Sequence, residues 1–334
     1  MHPREREVYE TPSPEVRFAP SLAGNKLCSQ PLFVKTLGLF GLSSVYGASP
    51  KATRLSVERR TVADPKITLV WEPTVIPLAS MAIDTEGLTD LVKWVGTYRP
   101  ECLPKEGEVE WGDLFPHDRQ GVSDNELLVE LAGRNCYHSY GLKAGRKSNA
   151  EYIAHSQSGT VPHRSITYHA KMTFFLAGIS RHLSHELIRH YVGADREEEG
   201  SPSQESTRYT FHPGHFVVPP KVIEEGSNSV EAFERAMSQA YGGYLEYIRQ
   251  SEEAFKKETG ASPKGIDRKR IYEAAAGFLP MHATTSLFWT TNPSALNKLF
   301  VERTDPTSGA EFRRFAKHWR KLCCAKWPNL IHGE

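Results

Sequence analysis

An alternating segment, SITYHAKMTFFLAG at residues 165–178, limits most strongly what this chain can fold into. Its apolar positions would share one face: Ile166, Tyr168, Ala170, Met172 and Phe174. Its polar positions would share the other: Thr167, His169, Lys171 and Thr173. A period of two residues predicts a half-buried strand. Gly178 is predicted to end this strand, and Ser180 to cap a helix that runs to about Tyr191.

Local patterns predict further elements. Residues 66–82 indicate a buried strand followed by a loop, and residues 98–122, interrupted by proline and glycine, indicate a linker or insertion. Ser123 and Glu126 form a capping box at the start of a helix. The other predicted elements are a short strand at 215–220, a long amphipathic helix from 229 that ends before Gly260, and helices around 265–278 and 309–326. This irregular order predicts an α+β fold with a mixed sheet flanked by long helices.

The chain divides into two parts by composition. Residues 1–64 are rich in proline, glycine and serine and show no sustained periodicity, which indicates an N-terminal extension. Residues 65–334 are predicted to form a single domain.

Composition excludes several classes of function. Lysine plus arginine number 41 and aspartate plus glutamate 40, so no basic excess favours nucleic acid as a partner. No apolar run is long enough to span a membrane. The five cysteines are odd in number and form no C-x-x-C pair, which indicates free thiols and a reducing, cytoplasmic location rather than a disulfide framework.

The stretch HELIRH at 185–190 begins like the zinc-protease motif H-E-x-x-H. A zinc helix needs its histidines four residues apart, but His185 and His190 are five apart and would diverge by roughly 140°. His182 and His185 have a usable spacing, but no third ligand stands at a telling distance. We therefore predict no metal site, although a metallohydrolase stays open as an alternative.

The same helix has two distinct faces. Leu183, Leu187 and Tyr191 recur at a spacing of four residues and are predicted to pack, whereas His182, Glu186 and Arg189 cluster on the other side. That polar face is either a solvated surface or part of a site. Downstream, SPSQESTRYTF at 201–211 combines Ser206 with Arg208 and further hydrogen-bonding side chains, which suits an anionic ligand such as a nucleotide phosphate but also an ordinary polar loop.

Four segments together resemble the flavin-dependent thymidylate synthase family. They are LVELAGRNCYHSY, HAKMTFFLAGISRHLSHELIRH, SQESTRY and FLPMHATTSLFWTTNPSALNKLFVER. The family signature is R-H-R, seven residues, then Ser-x-Arg-Tyr. Arg189 and His190 match its start, and Ser206, Arg208 and Tyr209 match its end. The resemblance covers about 66–322 and implies the fold of that family.

The resemblance also implies an activity. Members of the family methylate the pyrimidine C5 of dUMP with methylene-tetrahydrofolate as carbon donor, FAD as hydride carrier and NADPH as reductant. They are homotetramers that build each active site from several subunits. There is no G-x-G-x-x-G after a strand, which disfavours a Rossmann dehydrogenase but not this family.

Site residues follow from the same resemblance. The pyrimidine nucleotide would be held by Glu186, Gln204, Ser206, Arg208 and Arg303, with Arg208 on its phosphate. Arg303 would lie beside the uracil edge and favour loss of the N3 proton, with Ser206 orienting the substrate; these two are the expected catalytic residues. The flavin would contact Ser165, Arg189, His190 and Asn292, and His163 would lie near flavin and folate.

The chain departs from the family pattern at four points. Tyr191 replaces the second arginine of R-H-R, Tyr168 replaces an acid, and Ala276 replaces an arginine. Fourteen residues rather than seven separate Tyr191 from Ser206, which indicates an insertion around 192–201. In its altered motif and long N-terminal extension, the chain resembles a branch of the family that methylates the ribonucleotide UMP in nucleoside-antibiotic (polyoxin) biosynthesis. Both UMP and dUMP are therefore expected substrates. The alternative is a nucleotide- or flavin-binding regulatory homologue without catalysis.

Overall fold

A four-stranded antiparallel sheet organises the chain. The computed structural model describes residues 65–158, 163–192 and 201–332, so the predicted extension at 1–64 and most of the insertion lie outside the described residues. The sheet has the order β2-β3-β6-β4. Its strands are β2 (Thr74–Ser80), β3 (Met172–Ser180), β4 (Ser201–Gln204) and β6 (Thr284–Thr291). A separate parallel pair joins β1 (Thr68–Val70) to β5 (His215–Val217), and helices make up most of the rest, as the α+β prediction required.

The alternating segment is a strand only in its second half. Residues Arg164–His169 form a 3-10 helix, so the strand predicted from residue 165 is wrong over that stretch. Two contacts fix the residue just before this 3-10 helix: the backbone N–H of His163 donates to the carbonyl of Ser156, and Gln157 Nε2 donates to the carbonyl of His163. Thr167 also donates to the carbonyl of Arg164, which closes the turn.

Gly178 bends the strand but does not end it. Strand β3 continues to Ser180 through an irregularity in its pairing with β6, and Gly178 has a φ of 63° there. A side chain at this position would also approach the carbonyl oxygen of Glu72. The predicted cap is confirmed: Ser180 Oγ accepts from the backbone N–H of Leu183 at 2.9 Å and starts helix α4 (Arg181–Leu187).

The segment 66–82 contains two strands rather than one buried strand and a loop. Strand β1 pairs with β5, and β2 is an edge strand of the main sheet whose outward side chains, such as Ile76 and Leu78, are exposed. Only Val75 of β2 is buried. Because an antiparallel sheet can leave one face uncovered, the apolar run does not indicate complete burial.

Among the described residues, three α-helices precede β3: α1 (Thr85–Tyr98), α2 (Asp124–Tyr137) and α3 (Asn149–Gln157). The sequence pattern predicted only α2. Helix α3 places Ile153 in the core of the main sheet, whereas α1 and α2 form a second core with each other. The capping box of Ser123 and Glu126 is present as predicted. The segment 98–122 is not a simple linker, because it contains 3-10 helices at Pro100–Cys102 and Trp111–Leu114 and buries Leu103 and Phe115 in this core.

The C-terminal helices divide between two cores, one against the main sheet and one around Phe216 of β5. They are α5 (Arg189–Val192), α6 (Pro220–Glu225), α7 (Ser227–Thr259), α8 (Ile266–Ala275), α9 (Pro293–Thr304) and α10 (Ala310–Lys326). The predicted end of α7 is confirmed, since Gly260 adopts a left-handed conformation there. Phe174 of β3 packs edge-on against Trp319 of α10, and Phe300 of α9 does the same. This apolar contact fixes α9 and α10 on the inner face of the sheet.

Candidate active site

The polar helix after β3 has one interruption. Helix α4 ends at Leu187, Ile188 forms a turn, and α5 follows to Val192. Leu183 and Leu187 are buried as predicted, and Glu186 lies on the other, partly exposed side. Within the part of the chain that the structure describes, no group of three or more His, Cys, Asp or Glu side chains is arranged to hold a metal ion.

Arg303, near the end of α9, is hydrogen-bonded to two side chains of the polar helix. Its Nε donates to Nε2 of His190 at 2.8 Å, and its Nη1 donates to Oε2 of Glu186 at 3.1 Å. Its guanidinium lies over the ring of Phe312 on α10, with Cζ 4.7 Å from the ring centroid. We call Glu186, His190, Arg303 and Phe312 the arginine clamp. The clamp holds a fixed positive charge whose side chain is only 24% exposed.

His190 is neutral in this arrangement. Because Nε2 accepts a hydrogen bond from Arg303, the ring proton must lie on Nδ1. Burial, together with the positive charges of Arg303, Lys298 and Arg189, lowers the pKa of His190 to about 4. Its Nδ1 faces Oε2 of Glu302 at 3.7 Å. A neutral imidazole leaves the charge of Arg303 uncancelled on that side.

A cavity of about 350 Å³ adjoins the clamp. Its polar wall includes Arg189, His190 and Lys298, and its apolar wall includes Trp289 and Leu299. This volume lies near the lower end of the range for pockets that enclose a small organic ligand. The cavity therefore offers cationic and flat apolar surfaces beside Arg303.

The loop after β4 forms a second polar centre. Gln204 Nε2 donates to Ser184 Oγ at 2.9 Å and Thr285 Oγ1 at 3.2 Å, which ties the end of β4 to α4 and β6. The carbonyl of Ser206 accepts from Thr210, so the loop turns tightly. Arg208 is about half exposed, and its Nε lies 3.4 Å from Oε2 of Glu273 on α8.

Comparisons with known proteins identify the family. The sequence model described as "Thymidylate synthase complementing protein" (Thy1) matches residues 120–329. A flavin-dependent thymidylate synthase from Mycolicibacterium vanbaalenii is 33% identical over 190 residues, which are 57% of this chain and 71% of that protein. Another, from Mycolicibacterium gilvum, is 32% identical over 225 residues, 67% of this chain and 82% of that protein. The chain belongs to the flavin-dependent thymidylate synthase family.

A solved structure agrees on the fold. The crystal structure of a UMP/dUMP methylase, PolB from Streptomyces cacaoi, bound with 5-Br UMP, matches with a TM-score of 0.50 at 18% identity, covering 80% of this chain and 95% of that one. Membership of the family makes the chain an enzyme, a methyltransferase of a flavin-dependent family. Within residues 65–158, 163–192 and 201–332, no helix combines the length and the apolar content needed to cross a membrane.

The remaining predicted residues of this family member lie apart from the clamp. His163 has Nε2 3.9 Å from Sγ of Cys136 and lines a separate cavity of about 680 Å³. Ser165 is exposed on the 3-10 helix. Asn292 is fully buried and caps α9, with Oδ1 accepting from the backbone N–H of Ala295, while its Nδ2 has no hydrogen-bond partner among the described residues.

The departures from the family pattern have different structural settings. Tyr168 lies in the 3-10 helix rather than in a strand, and Ala276 starts a short 3-10 helix, Ala276–Phe278, after α8. The side chain of Tyr191 and residues 193–200 lie outside the described residues.

The structure thus joins three predicted residues, Glu186, His190 and Arg303, in one cluster, with Arg189 on the adjoining cavity. The sequence did not indicate that Phe312 and Glu302 lie beside this cluster. Phe312 reads as an ordinary core position of an amphipathic helix, and Glu302 as a surface acid. The adjacency of Glu302 to Arg303 was the one available signal.

Proposed function

We propose that this enzyme methylates C5 of a uridine monophosphate, UMP or dUMP or both, using methylene-tetrahydrofolate as carbon donor and FAD reduced by NADPH as hydride source. Membership of the family supports the reaction type. The name of the structurally similar PolB, a UMP/dUMP methylase, supports the substrate class.

The arginine clamp carries this proposal. Uracil C5 is a weak nucleophile, and its electron density rises as the ring approaches the N3-deprotonated form. A fixed guanidinium beside the ring lowers the pKa of N3 and stabilises the developing anion. Arg303 supplies such a charge, held by Glu186 and by a neutral His190 and supported from below by Phe312.

The cavity beside the clamp fits part of a flavin dinucleotide. Arg189 and Lys298 would face its phosphates, and Trp289 offers a flat apolar surface. The buried Asn292 amide lacks a hydrogen-bond partner among the described residues, as expected of a group that meets a ligand or another subunit. When bound, FAD supplies the hydride that reduces the transferred one-carbon unit to a methyl group.

The second polar centre, in the loop after β4, has side chains suited to a nucleotide phosphate. Arg208 would exchange its exposed contact with Glu273 for the phosphate, at small cost because exposed ion pairs contribute little. Lys269 of α8 lies with Nζ 4.9 Å from the ring of Tyr209, beside Arg208. We propose that Lys269 supplies the second positive charge that the family places at the position of Ala276. Ser206 and Gln204 would orient the pyrimidine nucleotide.

We also propose a homotetramer with shared sites. The outer face of the sheet carries an exposed apolar band, in which Ile76, Phe175 and Phe288 are neighbours on three adjacent strands. Ile76 and Phe288 are 43% and 48% exposed. A second copy that covers this band would remove it from water, and the resemblance to the family implies that the copies share their active sites. The four described cysteines are free, which supports a cytoplasmic location.

A direct assay tests the proposal. The protein is incubated with FAD, NADPH, methylene-tetrahydrofolate and either UMP or dUMP, and the C5-methylated nucleotide is quantified. Arg303→Gln should lower the rate by about 100-fold or more, because one preorganised charge or donor at a developing anion is worth that much. Arg235→Gln, on exposed α7, is the matched control and should leave the rate unchanged.

Two outcomes would contradict it. An absorption spectrum without flavin after FAD is added would remove the cofactor from the proposal. Flavin binding without methyl transfer to either nucleotide would instead favour the non-catalytic regulatory alternative.

A further inference from the structure

The ring nitrogens of His190 face groups of opposite kind. Nε2 meets the Nε–H of Arg303 at 2.8 Å, and Nδ1 faces the carboxylate of Glu302 at 3.7 Å. Both neighbours lie on α9, where consecutive side chains diverge by roughly 100° and can therefore flank one imidazole. Phe312 of α10 packs edge-on against the ring, at 5.9 Å and 89°, and limits its rotation.

We propose that Glu302 is a positioning residue of this enzyme: it holds the proton of His190 on Nδ1, so that Nε2 remains an acceptor for Arg303. The separation of 3.7 Å is too long for a direct hydrogen bond, so Glu302 acts by its charge on the imidazole dipole. This inference rests on the proposed function of Arg303 in polarising the pyrimidine.

The opposite tautomer would disrupt the clamp. With the proton on Nε2, an imidazole N–H would face the guanidinium N–H, and the Nδ1 lone pair would face a carboxylate. Arg303 alone does not prevent this, because a long side chain can turn away and keep its bond to Glu186. Glu302 favours the required tautomer whether or not Arg303 is in place.

Among the charged groups named around His190, Glu302 is the anion that faces Nδ1. Arg303 and Lys298 from α9 and Arg189 from α5 are cations that disfavour a protonated imidazole. Phe312 from α10 is apolar. Glu302 faces the ring as a carboxylate and is about half exposed, so its removal should not unfold α9.

Rates of three variants test the proposal. Glu302→Leu should lower kcat by about 10- to 100-fold through displacement of Arg303, while the nucleotide KM and flavin affinity stay within about twofold. Glu302→Asp keeps the carboxylate charge on the same turn of α9 and should retain kcat within about threefold. Glu231→Leu removes an exposed carboxylate 3.9 Å from Arg235 on α7 and serves as the matched control.

Nitrogen chemical shifts report the tautomer without an activity assay. Solid-state NMR of ¹⁵N-histidine-labelled protein, with His190→Gln used to assign the signal, should show the proton on Nδ1 in the wild type. It should stay there in Arg303→Ala but lose its preference in Glu302→Leu/Arg303→Ala. A merely structural role for Glu302 would not move this signal.

Several results would overturn the inference. These are a wild-type His190 that carries its proton on Nε2, a double variant that keeps the Nδ1–H form, a Glu302→Leu enzyme with wild-type kcat, and a Glu302→Leu enzyme whose defect is lost flavin affinity. If the wild type methylates neither nucleotide, the proposed function fails, and the nitrogen shifts still decide the assignment of Glu302.

Discussion

Protonation of His190 should weaken both the fold and the clamp at acid pH. Above about pH 6.5 the imidazole is neutral in the folded and the unfolded chain and adds no pH dependence. As the pH falls from 6.5 towards 4, the unfolded chain binds a proton that the folded chain does not, because burial and nearby cations lower the folded pKa to about 4. The free energy of unfolding must therefore fall through this window and level off below it.

The size of the effect follows from the two pKa values. The difference between 6.5 and about 4 corresponds to roughly 3 kcal/mol of unfolding free energy at pH 4. His190→Gln cannot take up this proton, and its side-chain oxygen can still accept from Arg303. The variant should therefore lose about 3 kcal/mol less stability than the wild type between pH 7.5 and pH 4.

Urea unfolding at fixed protein concentration measures both curves. His212, whose pKa burial also lowers to about 4, is present in both proteins, so its contribution cancels in the difference. Curves for wild type and His190→Gln that stay parallel within about 0.5 kcal/mol over this range would refute the assignment of a buried, neutral His190.

Three further outcomes are expected. Ser206→Ala should lower kcat/KM by about 3- to 30-fold without abolishing methyl transfer, because its hydroxyl is expected to orient the substrate by a hydrogen bond; a folded, flavin-loaded but inactive variant would contradict this. Phe288→Ser should shift the assembly towards smaller species in light scattering, with Tyr98→Ser, which removes a 63% exposed aromatic on α1, as control; an unchanged mass would exclude the sheet face as the interface. UMP competing with dUMP should give specificity constants within about tenfold of each other, and a preference of 100-fold or more for dUMP would contradict the expectation that both nucleotides are substrates.

Local rules predicted the parts of the fold that depend on neighbours in sequence. Ser180 caps α4, Ser123 and Glu126 form a capping box, and Gly260 ends α7, since each contact spans only a few residues. The strand prediction failed at 164–169, where a 3-10 helix packs against α2 and α9 instead. Alternation alone does not report such contacts.

The sequence predicted which residues to expect at the candidate site, and the structure adds the geometry of the cluster that some of them form. Glu186 and Arg303 are 117 positions apart, and their contact depends on how β3, β6 and the helices pack. Resemblance to a family supplied the positions, whereas the neutral state of His190 follows only from burial and from the donor at Nε2. The contact between Glu302 and His190 likewise requires the packed structure.

In the motif HELIRH, two side chains four residues apart contact a guanidinium, although the same spacing holds a metal ion in zinc proteases. His185 and His190 are five apart and diverge on a helix, but Glu186 and His190 are four apart, the spacing by which a zinc helix brings two ligands to one ion. Here the turn at Ile188 intervenes, and the pair presents a carboxylate oxygen and a neutral imidazole nitrogen to one guanidinium. A guanidinium donates hydrogen bonds in a plane, so two acceptors in line with its Nε and Nη1 fix its orientation as well as its position. A protonated or wrongly oriented imidazole would keep the spacing and lose the acceptor, so the protonation state of His190 is as much a part of the site as its place on the helix.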